Sequence, residues 1–240
     1  MQSTFDFGAA AELRTMRDRL KGCFGRVGDV RRLTPTGQLV RAMIGSRTRD
    51  EVSWRTYDRL VAAYPAWRAL AYAPYARIEA EIAEVTFADV KARQIGDALR
   101  TVERQCPDLS LDFLGTKPLG EALIWLQRLP GVGPKVAAAT LNFSTLRRPA
   151  FVVDTHILRI LRRFNLVGPQ ADIGQAFEAV MSLLPDWSAR DLTELHVMLK
   201  RLGQTLCRPA HPRCRDCPLN EHCASSPPGA STDALQLAAP

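Results

Sequence analysis

The sequence of 240 residues lacks the signals of several large protein classes. No apolar run approaches the ~20 residues that a helix needs to cross a bilayer. The N-terminal segment MQSTFDFGAAAELRTMRDRL has no basic region followed by an apolar stretch, so it shows no sign of a signal peptide. Alternating strand patterns are nearly absent. We therefore expect a cytoplasmic protein with no membrane partner.

Where strand patterns are missing, apolar residues recur every three to four positions and are interrupted by Pro, Gly, Asp and Asn. This spacing is typical of amphipathic helices and predicts an all-α fold. The C-terminal segment, residues 224–240, is rich in Pro, Ser and Ala, and we interpret it as a disordered tail. Helices are predicted over 39–44, 52–61, 78–85, 95–102, 119–129, 134–144 and 157–168.

The charge is unbalanced: 32 Lys and Arg residues stand against 25 Asp and Glu, which gives a formal net charge of +7. Such an excess favours a polyanionic partner, and nucleic acid is a better candidate than a membrane surface. The charge alone does not decide the question, because many basic proteins bind neither.

The six cysteines are unevenly distributed, since four of them fall within 17 residues in a C-x6-C-x2-C-x5-C arrangement. In a reducing compartment, such a cluster points to metal binding or catalysis rather than to disulfides. The intervening residues are too polar to belong to a core. Zinc usually binds paired short knuckles, whereas this compact spacing favours a [4Fe–4S] cluster, with zinc as the alternative. The four predicted ligands are Cys207, Cys214, Cys217 and Cys223.

A glycine turn, LPGVG, separates two predicted helices. Its glycines allow positive φ and a close approach of backbone to a ligand. The amides of Gly131, Val132 and Gly133, with the start of the next helix, are suited to holding one DNA phosphate. Neither GxGxxG nor GxxxxGK[ST] is present, which disfavours a nucleotide site. A plain helix–helix turn remains the alternative.

Two residues near this turn carry possible chemistry. Lys135 follows Pro134 in the first turn of a helix, where the positive end of the helix dipole disfavours an ammonium group. A lysine with a lowered pKa is a nucleophile that can form a Schiff base, although a solvated surface lysine is the simpler interpretation. Asp154 precedes an amphipathic helix and is a candidate N-cap. A carboxylate held in this way stays ionised and could stabilise a nearby cation.

Three motifs in the same order, LPGVGPK at 129–135, VDTHILR at 153–159 and the four-cysteine loop at 207–223, resemble the endonuclease III family of DNA glycosylases. These enzymes belong to the helix-hairpin-helix superfamily. The segments GSRTRD at 45–50 and FADVKARQI at 87–95 also resemble the family, so that the likeness extends from about residue 10 to 223.

The resemblance implies a two-lobed fold: a six-helix barrel over 30–146, and a second lobe from 1–29 and 147–223 that carries a [4Fe–4S] cluster. Damaged double-stranded DNA would lie across the cleft, with the damaged base flipped out. Lys135 matches the family's nucleophile and Asp154 its catalytic aspartate. The implied reaction is excision of oxidised pyrimidines followed by β-elimination, by a monomer that is nucleoid-associated if bacterial.

The resemblance also implies DNA contacts, with one departure from the family. Family members usually carry glutamine where this chain has Arg47, a residue that fills the gap left by the flipped base; arginine could alter the lesion or opposite-base preference. Two alternatives are a mismatch adenine glycosylase and a non-catalytic iron–sulfur protein that binds DNA or senses redox state. Phosphate contacts are expected from three residues of the cysteine loop, Arg208, His211 and Arg213.

Overall fold

The structure, a computed structural model, describes residues 3–227, and describes side chains from Gly8 onward. The chain forms two compact units, one of residues 31–150 and the other of residues 1–30 and 151–240. The described part contains eleven α-helices and no strand, apart from an isolated bridge that joins Leu33 to Ser144. The all-α prediction is thus confirmed. None of the helices within residues 3–227 combines the length and hydropathy required for a membrane span.

The unit of residues 31–150 contains seven α-helices, one more than the predicted six, because a single turn of helix forms at Trp67–Ala71. Its centre is a pair of helices that are buried along most of their length. The seven are α2 (Pro35–Ile44), α3 (Asp50–Ala63), α4 (Trp67–Ala71), α5 (Tyr75–Glu81), α6 (Ala88–Gln105), α7 (Leu119–Gln127) and α8 (Pro134–Phe143).

The central pair is α2 and α8, which pack against each other more extensively than any other two helices. All ten residues of α2 are buried, and α8 is buried from Val136 to Asn142. Three consecutive alanines at 137–139 let the backbone of α8 approach its neighbours closely. The two ends of α8 are only half-buried, with Phe143 at one end and Lys135 in the first turn at the other.

The other unit contains α1 (Ser3–Phe24), α9 (Thr155–Arg163), α10 (Ile173–Leu183) and α11 (Ala189–Thr205). Helices α9 and α11 cross closely at Gly203, where an added Cβ would lie 2.7 Å from the Cβ of His156. Ser188 and Asp172 begin α11 and α10 with capping boxes, in which two backbone donors are satisfied reciprocally. The four cysteines follow α11 in a loop with two short 3-10 turns.

One boundary differs from that expected. Residues 147–150 lie with the unit of residues 31–150, because the guanidinium of Arg148 donates to the carbonyls of Leu114, Gly115 and Lys117. Ala224 to Pro227, at the start of the predicted tail, form a turn in which Ser225 Oγ donates to the carbonyl of Arg163 over 3.1 Å, and the disordered tail stays a prediction. The rest of the predicted tail, 228–240, lies outside the described residues.

Candidate functional site

The glycine turn joins α7 to α8 as a helix-hairpin-helix. Gly131 has φ +75°, which an L-residue rarely adopts, and an added Cβ would lie 2.6 Å from Oε1 of Gln94. Gly133 is exposed and has open space around its Cα. Glycine is therefore required at 131 by the fold, whereas at 133 nothing in this unit requires it.

The amides of the turn are not equivalent. The Val132 amide donates to the carbonyl of Leu129 over 3.1 Å, and the Val132 side chain is buried. Neither Gly131 nor Gly133 donates a backbone hydrogen bond to another described residue. The amides of Gly131 and Gly133 are therefore open to an anion, whereas the amide of Val132 also closes the turn, and its contact with DNA stays a prediction.

The two glycines thus support a matched prediction. We expect Gly131→Ala to lower the free energy of unfolding by roughly 1–3 kcal/mol, because the residue must keep a positive φ and displace Gln94. Gly133→Ala is expected to stay within about 0.5 kcal/mol of wild type and to weaken DNA binding, because its methyl group occupies the surface beside the free amide. Urea denaturation and DNA titration check both. Equal destabilisation by the two variants would contradict the assignment.

Lys135 is the second residue of α8, and its side chain is half-buried. Its charge reaches another lysine that we did not single out from the sequence, Lys91 of α6. Lys91 is only 5% exposed, and burial together with the charge of Lys135 lowers its pKa to about 8. The unit therefore brings Lys91 of α6 close enough to Lys135, at the start of α8, for their charges to repel each other.

The ammonium of Lys91 is fully hydrogen-bonded. It donates to the carbonyl of Ile44 over 2.8 Å, to that of Ser46 over 2.6 Å and to Oγ1 of Thr48 over 3.1 Å. Ile44 is the last residue of α2, so Lys91 joins the end of that helix to the loop that follows. One sequence signal could have revealed it: Lys91 lies four residues before Ile95, on the apolar face of α6.

The lowered pKa of Lys91 gives a prediction about stability. Between about pH 8 and pH 10.5 the unfolded chain holds a proton that the folded protein has released, so stability rises with pH in this window. We expect the unfolding free energy of wild type, relative to that of Lys91→Met, to increase by up to ~3 kcal/mol across it. Urea denaturation at several pH values measures this. A difference that stays constant with pH would rule it out.

Arg47 lies at the tip of the loop that Lys91 holds, and it is exposed. Its φ is +55°, and its guanidinium lies 5.9 Å from the ring centre of Phe87, which is itself 54% exposed with φ +60°. The hydroxyl of Thr86 donates to the Arg47 carbonyl over 3.0 Å. An exposed arginine and an exposed aromatic ring thus form one surface beside the loop.

Asp154 lies in the other unit, where it caps α9. A single carboxylate oxygen, Oδ1, accepts from the amides of His156 and Ile157, each over 2.9 Å. The side chain is 93% buried, so it is held rigidly. His156 packs against Gly203, as expected for a residue without a chemical role. Both cap bonds go to one carboxylate oxygen, and an uncharged side chain with such an oxygen can accept them. The cap of α9 therefore does not require the negative charge of Asp154.

The four predicted cluster ligands line one cavity of about 270 Å³ and are all free thiols. Burial and the neighbouring thiols raise the pKa of Cys217 to about 12, and burial also raises the pKa of Cys223. Within residues 3–227, no group of three or more His, Cys, Asp or Glu is arranged to hold a single metal ion. The four thiols therefore line a cavity and do not converge on the position of a single metal ion.

Two arginines of α9 attach this loop to the helix. Arg159 donates to the carbonyls of Gly203 and Cys207, and Arg163 donates to Sγ of Cys207 over 3.1 Å. The three predicted phosphate-binding residues are exposed, although Arg213 already pairs with Asp216 over 2.6 Å. Arg208 and His211 lie on the same loop segment between the first two cysteines.

The helical fold and its hairpin are those of the helix-hairpin-helix DNA glycosylases. The family model described as HhH-GPD superfamily base excision DNA repair protein matches residues 40–186. Endonuclease III of Thermotoga maritima is 29% identical over 191 residues, covering 79% of this chain and 82% of that protein. An endonuclease III homologue of Encephalitozoon cuniculi is 29% identical over 193 residues, covering 78% of each.

A solved structure of a trapped endonuclease III–DNA covalent intermediate has the same fold, with a TM-score of 0.75 and 21% identity over 90% of this chain and 96% of that one. The chain belongs to the HhH-GPD superfamily of base excision DNA repair proteins, and within it to the endonuclease III family. Other relatives of this chain are named as DNA glycosylases. The resemblance stated from the motifs is confirmed.

Proposed function

We propose that this protein is a bifunctional DNA glycosylase and AP lyase that removes oxidised pyrimidines from double-stranded DNA. The observation that carries the proposal is the position of Lys135: a half-buried amine in the first turn of a buried helix, directly behind a hairpin with two free glycine amides. A plain helix–helix turn would need neither the free amides nor the second lysine beside it.

The chemistry follows from this amine. In its neutral form, Nζ of Lys135 attacks C1′ of the damaged nucleotide, and the C1′–N bond breaks as the base leaves with the electron pair and takes up a proton. The attached nitrogen loses a proton, and its lone pair then forms the C=N bond as the C1′–O4′ bond breaks and O4′ takes up a proton. The resulting Schiff base acidifies the C2′ proton, whose loss expels the 3′ phosphate by β-elimination. Water then hydrolyses the imine and frees the lysine. Asp154 stabilises the positive charge that develops on the sugar.

The surface residues supply the DNA contacts in this proposal. The amides of Gly131 and Gly133 hold one phosphate, and Arg47 fills the gap that the flipped base leaves. Arg208, His211 and Arg213 bind phosphates with exposed side chains, so that affinity should fall with salt. Solved relatives of this fold are complexes with DNA, and the basic charge of the chain agrees with such a partner.

We infer that the cysteine cavity holds a [4Fe–4S] cluster. Four thiols is the ligand set such a cluster takes, and the cavity has room for more than one metal atom. Burial, with a smaller contribution from the neighbouring thiols, raises the pKa of Cys217 and Cys223, and a cationic centre in the cavity would favour their thiolate forms. When bound, the cluster supplies a rigid centre for the loop that carries Arg208, His211 and Arg213.

The cluster assignment predicts about four iron atoms per chain and a broad visible absorbance band in protein purified without oxygen. Cys217→Ser is expected to lose iron and to unfold the loop, because its thiol is the most buried of the four. Cys106→Ser, outside the cavity, is the control and should keep full iron content. Zinc in place of iron would refute the assignment.

The experiment that tests the activity is single-turnover excision from duplexes that carry an oxidised pyrimidine opposite each of the four bases. We expect strand cleavage to accompany base loss, with a preference among opposite bases that changes in Arg47→Gln. Binding of every duplex without any base loss would overturn the proposal in favour of a non-catalytic protein. Excision of undamaged adenine from mismatches would instead indicate an adenine glycosylase.

A further inference from the structure

The loop between α2 and α3, residues 45–49, has few internal bonds. Shorter backbone hydrogen bonds tie its two ends to the helices, from Gly45 to Arg41 over 3.0 Å and from Ser53 to Arg49 over 2.9 Å, but the bonds of Ser46 and Thr48 nearer its tip are both 3.3 Å long. Arg47 at its tip has a φ of +55°, a conformation that is unfavourable for an L-residue. The loop therefore depends on groups outside it to hold this shape.

Those groups come from the start of α6. The two carbonyl bonds from Lys91, at 2.8 and 2.6 Å, are shorter than the bonds within the loop. A protonated lysine has three N–H donors, and Lys91 uses all three on Ile44, Ser46 and Thr48. Neutral lysine has two, so the charged form is the one that fits these acceptors.

The same ammonium acts on the start of α8. We propose that Lys91 is a positioning residue of the reaction: it fixes the loop that presents Arg47, and its charge favours the neutral, reactive amine of Lys135. Only the effect on Lys135 rests on the proposed function, because the hydrogen bonds from Lys91 to the loop exist without DNA. The buried side chain of Lys91 makes no contact with substrate itself.

The repulsion that the proposal uses is specific to this pair. The pKa of Lys91 is lowered by two causes, its burial and the charge of Lys135. Charged groups on the helices packed against α6 make no contribution to it; these are Arg41 on α2, Arg68 on α4, and Arg77, Glu79 and Glu81 on α5. Because Coulomb repulsion is mutual, the proposal has the charge of Lys91 act on Lys135 in turn.

The test uses the full-length protein and three variants. Lys91→Met removes the charge and the donors, Lys91→Arg keeps both, and Lys117→Met removes a lysine of the same unit that lies over the ring of Phe113. The third variant makes the same change in net charge and controls for general DNA affinity. Circular dichroism establishes that each variant is folded.

The first readout is hydrogen exchange of the amides at 45–49 without DNA. We expect exchange to be at least about tenfold faster in Lys91→Met, and unchanged in Lys117→Met. The second is the pH dependence of borohydride trapping on abasic DNA. Its half-maximum is expected to move up by roughly one pH unit in Lys91→Met, and to stay in place in the other two variants.

The possible outcomes distinguish the anchoring of the loop by Lys91 from its effect on Lys135. Wild-type exchange rates and an unchanged pH profile in Lys91→Met would overturn the role of Lys91. Faster exchange with an unchanged pH profile would reduce it to a loop anchor and overturn the effect on Lys135. A wild-type protein that never traps would refute the proposed function, and the exchange rates would still decide whether Lys91 holds the loop.

If Lys91→Met does not fold, Lys91→Arg with wild-type exchange and pH profile supports the proposal, and altered values overturn it.

Discussion

Lys135→Ala should abolish the covalent adduct that borohydride traps on abasic DNA, with a loss of at least about three orders of magnitude in trapping rate. The amine is the atom that bonds to the sugar in the proposed reaction, so no neighbouring group replaces it. Lys91 of the same unit cannot take its place, because three hydrogen bonds hold its amine to Ile44, Ser46 and Thr48. Trapping is read on a denaturing gel as a protein–DNA band.

The fold should survive this change. Lys135 is half-buried at the end of a helix whose core residues are untouched, so the melting temperature should shift by only a few degrees. Lys117→Ala, also half-buried in the same unit, is the matched control and should trap normally. A band of normal intensity from Lys135→Ala would exclude this lysine as the nucleophile.

Asp154→Asn is the second change with a large expected effect. Asparagine caps helices about as well as aspartate, and its carbonyl oxygen can accept the same two amide bonds from His156 and Ile157. Stability should therefore change little, while base excision should slow by about 10²- to 10³-fold, because the negative charge that stabilises the sugar cation is gone. Single-turnover excision and thermal melting measure the two effects separately.

Two controls distinguish catalysis from capping. Asp154→Ala removes the cap and should lower stability by roughly 1–2 kcal/mol in addition to the loss of excision. Asp172→Asn makes the same chemical change at the exposed N-cap of α10 in the same unit and should leave excision unaffected. If Asp154→Asn proved as unstable as the alanine variant yet excised bases at the normal rate, the residue would be a cap and nothing more.

Local patterns in the sequence were sufficient for much of the fold. The apolar spacing located α2, α3 and α6 because each buries one regular face, and the Gly-Pro pair located the start of α8. The single turn of α4 went unpredicted because five residues show no periodicity. The turn at 224–227 was missed because its bond to Arg163 joins residues 62 positions apart.

Fewer features of the site than of the fold could be predicted from the sequence. Lys135 and Asp154 stand out because each begins a helix next to a recognisable motif. Lys91 does not, since its role depends on the loop at 45–49 folding back onto α6, and no local pattern records such a contact. The bond of the Val132 amide was not predicted for a related reason: a pattern of glycines indicates a turn with free amides, but not which amide closes it.

The burial of α8 has a consequence for the cost of catalysis. From Val136 to Asn142 the helix lies inside the core, so the backbone that carries Lys135 is as immobile as the core itself. On binding DNA, the only freedom left to lose at this residue is that of its own side chain, about 2 kcal/mol at most. Most of the conformational entropy that must be lost to position the amine is therefore lost when the protein folds, before damaged DNA binds.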